Sequence, residues 1–134
     1  MTLPKPRKIL LLDDDENTLE LLRMALASMP YDATYVSSGV DALIAIFEAY
    51  KARDPFYALV LDCALPHFDG FTIARIVRMA EATGISPRAK IGYFTAFTKT
   101  VEQSTLLDEV GAEAYWRKTE DVANLPELIR LWLE

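Results

Sequence analysis

The chain has one cysteine and one histidine in 134 residues. A lone Cys63 has no disulfide partner within the chain and suits a reducing compartment. Nothing in its surroundings suggests an activated thiol, so it reads as a small buried residue. His67 sits in the turn sequence PHFDG and reads as a solvent-exposed loop residue rather than a ligand or phosphoacceptor. Glycine is scarce, with five in all, and no glycine-rich loop follows the first apolar run, which disfavours nucleotide binding. Basic clusters are lacking beyond KPRK at residues 5–8, and the net charge is −6, which argues against a nucleic-acid footprint. Long apolar runs are also missing. Ile9–Leu12 is too short for a signal-peptide core or a membrane span, and a cytoplasmic location is the expectation. Repeats, low-complexity tracts and internal linkers are absent.

What remains is half apolar and a quarter charged, the profile of one ordinary soluble domain over residues 1–134. A chain of this length buries about two-thirds of its unfolded surface and needs no staple. The acidic excess is compatible with a divalent metal or a basic partner.

Short apolar runs alternate with longer stretches of helical period. Ile9–Leu12, Ala33–Val36, Tyr57–Leu61, Lys90–Phe94 and Ala114–Arg117 read as strands. A helix is expected over 15–29, with Leu19, Leu22, Leu26 and Met29 on one stripe and Pro30 beyond its end. Ser38 opens a second helix as a capping box with Asp41, followed by the apolar Leu43, Ile44 and Phe47. A third spans 71–82 with Ile73, Ile76, Val77 and Ala80 inward. A fourth spans 100–110, ended by Gly111. The last starts from a capping box of Asn124 with Glu127 and buries Leu125, Leu128, Ile129 and Trp132, leaving Leu131 on the opposite flank. Five strands alternating with five helices indicate an α/β, doubly wound parallel sheet, five units being too few for an eight-fold barrel. In such sheets the site lies at the carboxyl ends of the strands.

The residues at those ends are Asp13-Asp14-Asp15, then the uncharged Ser37-Ser38, then Asp62, Thr95 and Lys118. At about 5 Å and an effective dielectric of about 20, each pair of like charges in LLLDDDEN costs roughly 3 kcal/mol. Asp15 and Glu16 are accounted for by helix capping and a favourable first-turn charge. Asp13 and Asp14, facing Asp62 from a neighbouring strand, suit a hard cation. Mg²⁺ takes one or two carboxylates plus waters and phosphate oxygens.

Four segments carry a family resemblance across nearly the whole chain: KILLLDDDEN, YALVLDCALPHFDG, KIGYFTAF and GAEAYWRK. In this order and spacing they resemble the receiver domain of two-component response regulators. The resemblance implies a flavodoxin-like sheet in the order 2-1-3-4-5 and a phosphoacceptor at Asp62. It implies Mg²⁺ held by Asp13, Asp14, Asp62 and the backbone carbonyl of Ala64. It implies a switch hydroxyl at Thr95, a phosphate-contacting Lys118 and an aromatic switch at Tyr115. The phosphoryl donor would be a histidine kinase or a histidine phosphotransfer protein, and the domain a signalling element rather than a turnover enzyme. Output would pass through a surface around the fourth helix, Tyr115, Trp116 and Leu131, to a partner or a second copy, with no nucleic acid or membrane involved.

Two features depart from the family. Thr119 follows Lys118 where proline is usual, and a cis peptide there would cost about 3 kcal/mol. Ala64 and Phe97, which flank the acceptor and the switch threonine, cannot orient water, and slow self-dephosphorylation is expected. Two rival readings stand beside this one. A degenerate receiver would bind partners without phosphorylation. A haloacid-dehalogenase-type phosphatase would use Asp13, Asp15, Thr95 and Lys118, but leaves Asp62 without a role, and no acidic pair follows Lys118 on a later strand.

Overall fold

A computed structural model describes residues 5–63, 65, 69–96, 108–118 and 121–134. Five parallel strands form one sheet in the order β2-β1-β3-β4-β5, as the resemblance implied. They are β1 (Arg7–Leu12), β2 (Tyr31–Val36), β3 (Ala58–Leu61), β4 (Lys90–Thr95) and β5 (Ala114–Arg117). The aliphatic runs of β1, β3 and β4 are buried on both faces because period-two alternation sends neighbours to opposite layers, while the edge strands β2 and β5 are mostly half-buried. On one face Leu10, Leu12, Leu59, Leu61, Ile91 and Tyr93 meet α2 (Gly39–Lys51) and α3 (Gly70–Ala82). On the other, Ile9, Leu11, Val60, Phe94 and Trp116 meet α1 (Glu16–Leu26) and the C-terminal helix Leu125–Leu133.

The strands run longer than the apolar runs at three edges, one of them the end of β4, which reaches Thr95. β1 begins at Arg7 and β2 at Tyr31, since charged and aromatic residues at a sheet's rim still pair through their backbones. Gly92 on β4 leaves room for two indoles: a Cβ there would lie 2.9 Å from Trp116 and 3.2 Å from Trp132. Those rings pack edge to face with centroids 5.1 Å apart.

Helix ends follow local capping chemistry. Asp15 caps α1 by accepting from the Asn17 amide, and Ser38 caps α2 by accepting from the Asp41 amide. The first helix stops at Leu26 rather than 29, its last turn closing through Ala27 N–H to Met24 O ahead of Pro30. On α2 the inward face is Ala42, Ile46 and Ala49, with Leu43 half-buried, while Ile44 and Phe47 are exposed. On α3, Phe71, Ile73, Ala74 and Val77 are inward, with Ile76 and Ala80 only half-buried. The Asn124–Glu127 capping box does not form. A 3₁₀ turn over Val122–Asn124 leads into the helix instead, and Glu127 pairs with Arg130. Of the fourth expected helix only residues 108–110 are described, and these are helical. No helix among the described residues is long and apolar enough to cross a membrane.

Candidate functional site

The sheet's own ladder fixes the rim residues. Asp13 N–H donates to Val36 O at 3.2 Å, Asp62 N–H to Leu12 O at 3.1 Å, and Lys118 N–H to Thr95 O at 2.9 Å. Each residue therefore stands one step past its strand's end, with its backbone still paired to the neighbouring strand. Their side chains converge as the strand-end reading required.

Asp13, Asp62 and Thr95 are buried, Lys118 half-buried and Asp14 exposed. Lys118 Nζ lies 2.6 Å from Asp13 Oδ2 and 3.1 Å from Asp62 Oδ2. One carboxylate oxygen each from Asp13, Asp14 and Asp62 falls within 4.8 Å of the others. Asp13 Oδ1 accepts from the Asp15 amide at 2.9 Å. Its Oδ2 is buried and, apart from the ionic contact with Lys118, has no hydrogen-bond donor. Burial, the largest influence, pushes the Asp13 carboxyl up to about 6, and the charge on Asp62 adds to it; Lys118 and the Asp15 amide pull the other way. For Lys118, burial acts to lower the ammonium, but Asp13 and Asp62 together outweigh it and hold the group above the ordinary lysine value.

This donor set fits Mg²⁺. A hard cation needs carboxylate oxygens with open coordination positions around them, and Asp13 Oδ2 is a buried oxygen that one lysine alone satisfies. Asp15 is spent elsewhere: Asn17 N–H donates to its Oδ1 at 3.0 Å and the Thr18 hydroxyl to its Oδ2 at 3.2 Å.

Thr95 ends β4, between the strands that bear Asp62 and Lys118. Tyr115 is paired in register with Tyr93 and packs, half-buried, against the same core layer. Ala64, His67, Phe97 and Thr119 lie outside the described residues.

Two contributors were missed in the sequence. Asp69 caps α3, accepting from the Thr72 amide at 2.8 Å, a role that Asp-Gly before an apolar run could have announced. Gly70 lets that helix start against Asp62: a Cβ there would lie 2.5 Å from the Asp62 carbonyl oxygen. Nothing in the sequence signals that contact.

The same architecture recurs in known proteins. Residues 9–130 match the family described as the response regulator receiver domain. The chain is 33% identical over 91 residues to the response regulator receiver protein CpdR of Brucella abortus, covering 68% of each. It is 29% identical over 123 residues to the hybrid signal transduction histidine kinase L of Dictyostelium discoideum, covering 92% of this chain but 7% of that protein. Among solved structures, the receiver domain of the Arabidopsis thaliana histidine kinase CKI1, complexed with Mg²⁺ and BeF3⁻, superposes with a TM-score of 0.79 at 22% identity. That match covers 94% of this chain and 89% of the other. With the rim of acids, hydroxyl and lysine already in place, these matches fix the assignment: the chain belongs to the response regulator receiver domain family and is a signalling domain of two-component or phosphorelay systems.

Proposed function

We propose that residues 1–134 act as one cytoplasmic phosphoacceptor unit in which Asp62 takes a phosphoryl group from a phosphohistidine on a kinase or phosphotransfer protein. The observation that carries this reading is the Lys118 ammonium set between Asp62 and Asp13, at 3.1 and 2.6 Å, beside the three-carboxylate cluster. An Asp62 carboxylate oxygen attacks phosphorus as the phosphorus–nitrogen bond breaks. The bonding pair stays on the departing imidazole nitrogen, which takes up a proton. Lys118 needs only a small swing to follow the charge that moves onto the phosphoryl oxygens, and such transfer is mainly positioning and electrostatics. Mg²⁺ held by Asp13, Asp14, Asp62 and the Ala64 carbonyl would neutralise part of that charge. Asp15, which the phosphatase reading requires, is engaged in capping α1.

The acyl phosphate draws the Thr95 hydroxyl toward it, and Tyr115 turns into the space released, changing the surface that a partner meets. The apolar residues Ala64 and Phe97 give water no hydrogen-bonding guide, so the phosphoryl group is long-lived.

The test is intact mass after incubation with acetyl phosphate, with and without Mg²⁺, for the wild type, Asp62→Asn and Asp13→Asn. One phosphoryl group added only with metal, and absent in Asp62→Asn, is the expected result. An adduct that persists in Asp62→Asn would move the acceptor elsewhere. No adduct under any condition would favour a phosphorylation-independent interaction module.

A further inference from the structure

The outer surface of α2 is not accounted for by phosphoryl chemistry. A helix on a solvated face is ordinarily apolar on one stripe, and one that is apolar all round is normally covered on all sides. α2 breaks that pattern. Ala42, Ile46 and Ala49 point into the core, yet Val40, Ile44 and Phe47 form a second apolar stripe that lies exposed on the other side. On α1, by comparison, the exposed Leu21 and Met24 are interspersed with Glu16, Asn17, Glu20 and Arg23 rather than forming an unbroken apolar stripe.

The stripe has an internal symmetry. Val40, Ile44, Phe47 and Lys51 are spaced four, three and four residues apart, a series that reads the same in both directions. Such a series suits a two-fold interface, in which each contact from one copy to the other occurs twice. With the axis midway between Ile44 and Phe47, two antiparallel α2 helices bring Ile44 onto Phe47 of the second copy, and Val40 onto the aliphatic stem of Lys51. Charge agrees with the same register. Asp41 lies in the first turn and Lys51 in the last, about 15 Å apart along the axis, so antiparallel pairing sets each acid beside the other copy's amine. Neither side chain has an ion-pair partner among the described residues.

We propose that α2 is a self-association face, through which two copies of this chain pair antiparallel on the Val40–Ile44–Phe47 stripe with Asp41–Lys51 contacts at both ends. This association is constitutive and does not rest on the phosphoacceptor reading, so Asp62→Asn pairs as the wild type does.

Sedimentation velocity of the full chain over a concentration series tests it, beside Ile44→Glu, Asp41→Lys, Lys51→Asp and the double exchange Asp41→Lys/Lys51→Asp. The expected result is a reversible dimer in the wild type and in Asp62→Asn. Its dissociation constant rises at least tenfold in Ile44→Glu and severalfold in either single charge variant, and recovers in the double exchange. Ile44 and both charges are on the surface, so circular dichroism should show all variants folded. A monomer at every concentration overturns the proposal and leaves the stripe to a different protein. A dimer indifferent to Ile44→Glu places the interface elsewhere. A double exchange that fails to recover overturns the antiparallel register.

Discussion

Lys118 Nζ stands 2.6 Å from Asp13 Oδ2, on a carboxylate of the candidate metal cluster. On the proposed reading the ammonium and a divalent cation would compete for this carboxylate, and metal entry would displace the lysine toward Asp62. Lys118→Met removes the competitor. Mg²⁺ should bind more tightly, on the order of tenfold or about 1.4 kcal/mol by calorimetric titration. Phosphorylation by acetyl phosphate should slow by about 10²-fold, because a donor aimed at developing charge is lost. Unchanged or weaker Mg²⁺ binding would show that the ion pair does not occupy the metal's place.

The raised Asp13 pKa sets a pH dependence of definite sign. Its folded-state value of about 6 lies above the ordinary aspartate value, so the proton favours the folded state. The stability contributed by protonated Asp13 is complete below the unfolded pKa and is lost as pH rises through about 6. In EDTA at pH 7.5, Asp13→Asn should stabilise the fold by about 1–2 kcal/mol in urea denaturation, and at pH 4 it should gain almost nothing. The same proton competes with metal, so Mg²⁺ affinity in the wild type should fall as pH drops below about 6. An Asp13→Asn gain equal at both pH values would mean that packing, not charge, is responsible.

The sequence carried the sheet because a strand buried on both faces must be a continuous aliphatic run, and Ile9–Leu12 and Ala58–Leu61 are such runs. It carried Asp13, Asp62, Thr95 and Lys118 because strand ends of a parallel sheet share one rim. It did not carry which side of α2 faces inward. Ile44 and Phe47 outweigh Ala42 and Ala49 in hydrophobicity, but the core beneath α2 has room for alanines against Leu10, Leu12 and Tyr93. Nor did it reveal the start of the last helix, where a 3₁₀ turn replaced a side-chain cap. The proximity of Gly70 to Asp62 is a tertiary contact with no local signature.

Cys63 follows Asp62 directly yet should be chemically quiet. Burial, reinforced by the charges on Asp62 and Asp69, pushes its thiol up to about 12, against a weaker opposing influence from the Thr95 hydroxyl. The thiolate is the reactive form, so at pH 8 the folded protein should react with iodoacetamide about 10³-fold more slowly than an unhindered thiol, or slower still. The urea-unfolded chain should label at the ordinary rate. Labelling of the folded protein at a free-thiol rate, followed by mass, would contradict both the burial and the raised pKa.

Gly70 opens α3 where the helix meets the end of β3. A methyl group there would stand 2.5 Å from the Asp62 carbonyl oxygen and 3.1 Å from Tyr93 Cε1. The first contact is with backbone and the second with a fully buried ring, so neither can move aside cheaply. Alanine gains about 1 kcal/mol of helix propensity over glycine, but overpacking of this kind costs about 1–3 kcal/mol. Gly70→Ala should therefore be no more stable than the wild type and up to about 2 kcal/mol less so. The strain falls on the acceptor's own peptide, so the rate of Mg²⁺-dependent phosphorylation should drop further than the loss of folded protein explains. A variant that gains the full propensity increment and phosphorylates normally would mean that the helix start does not press on Asp62.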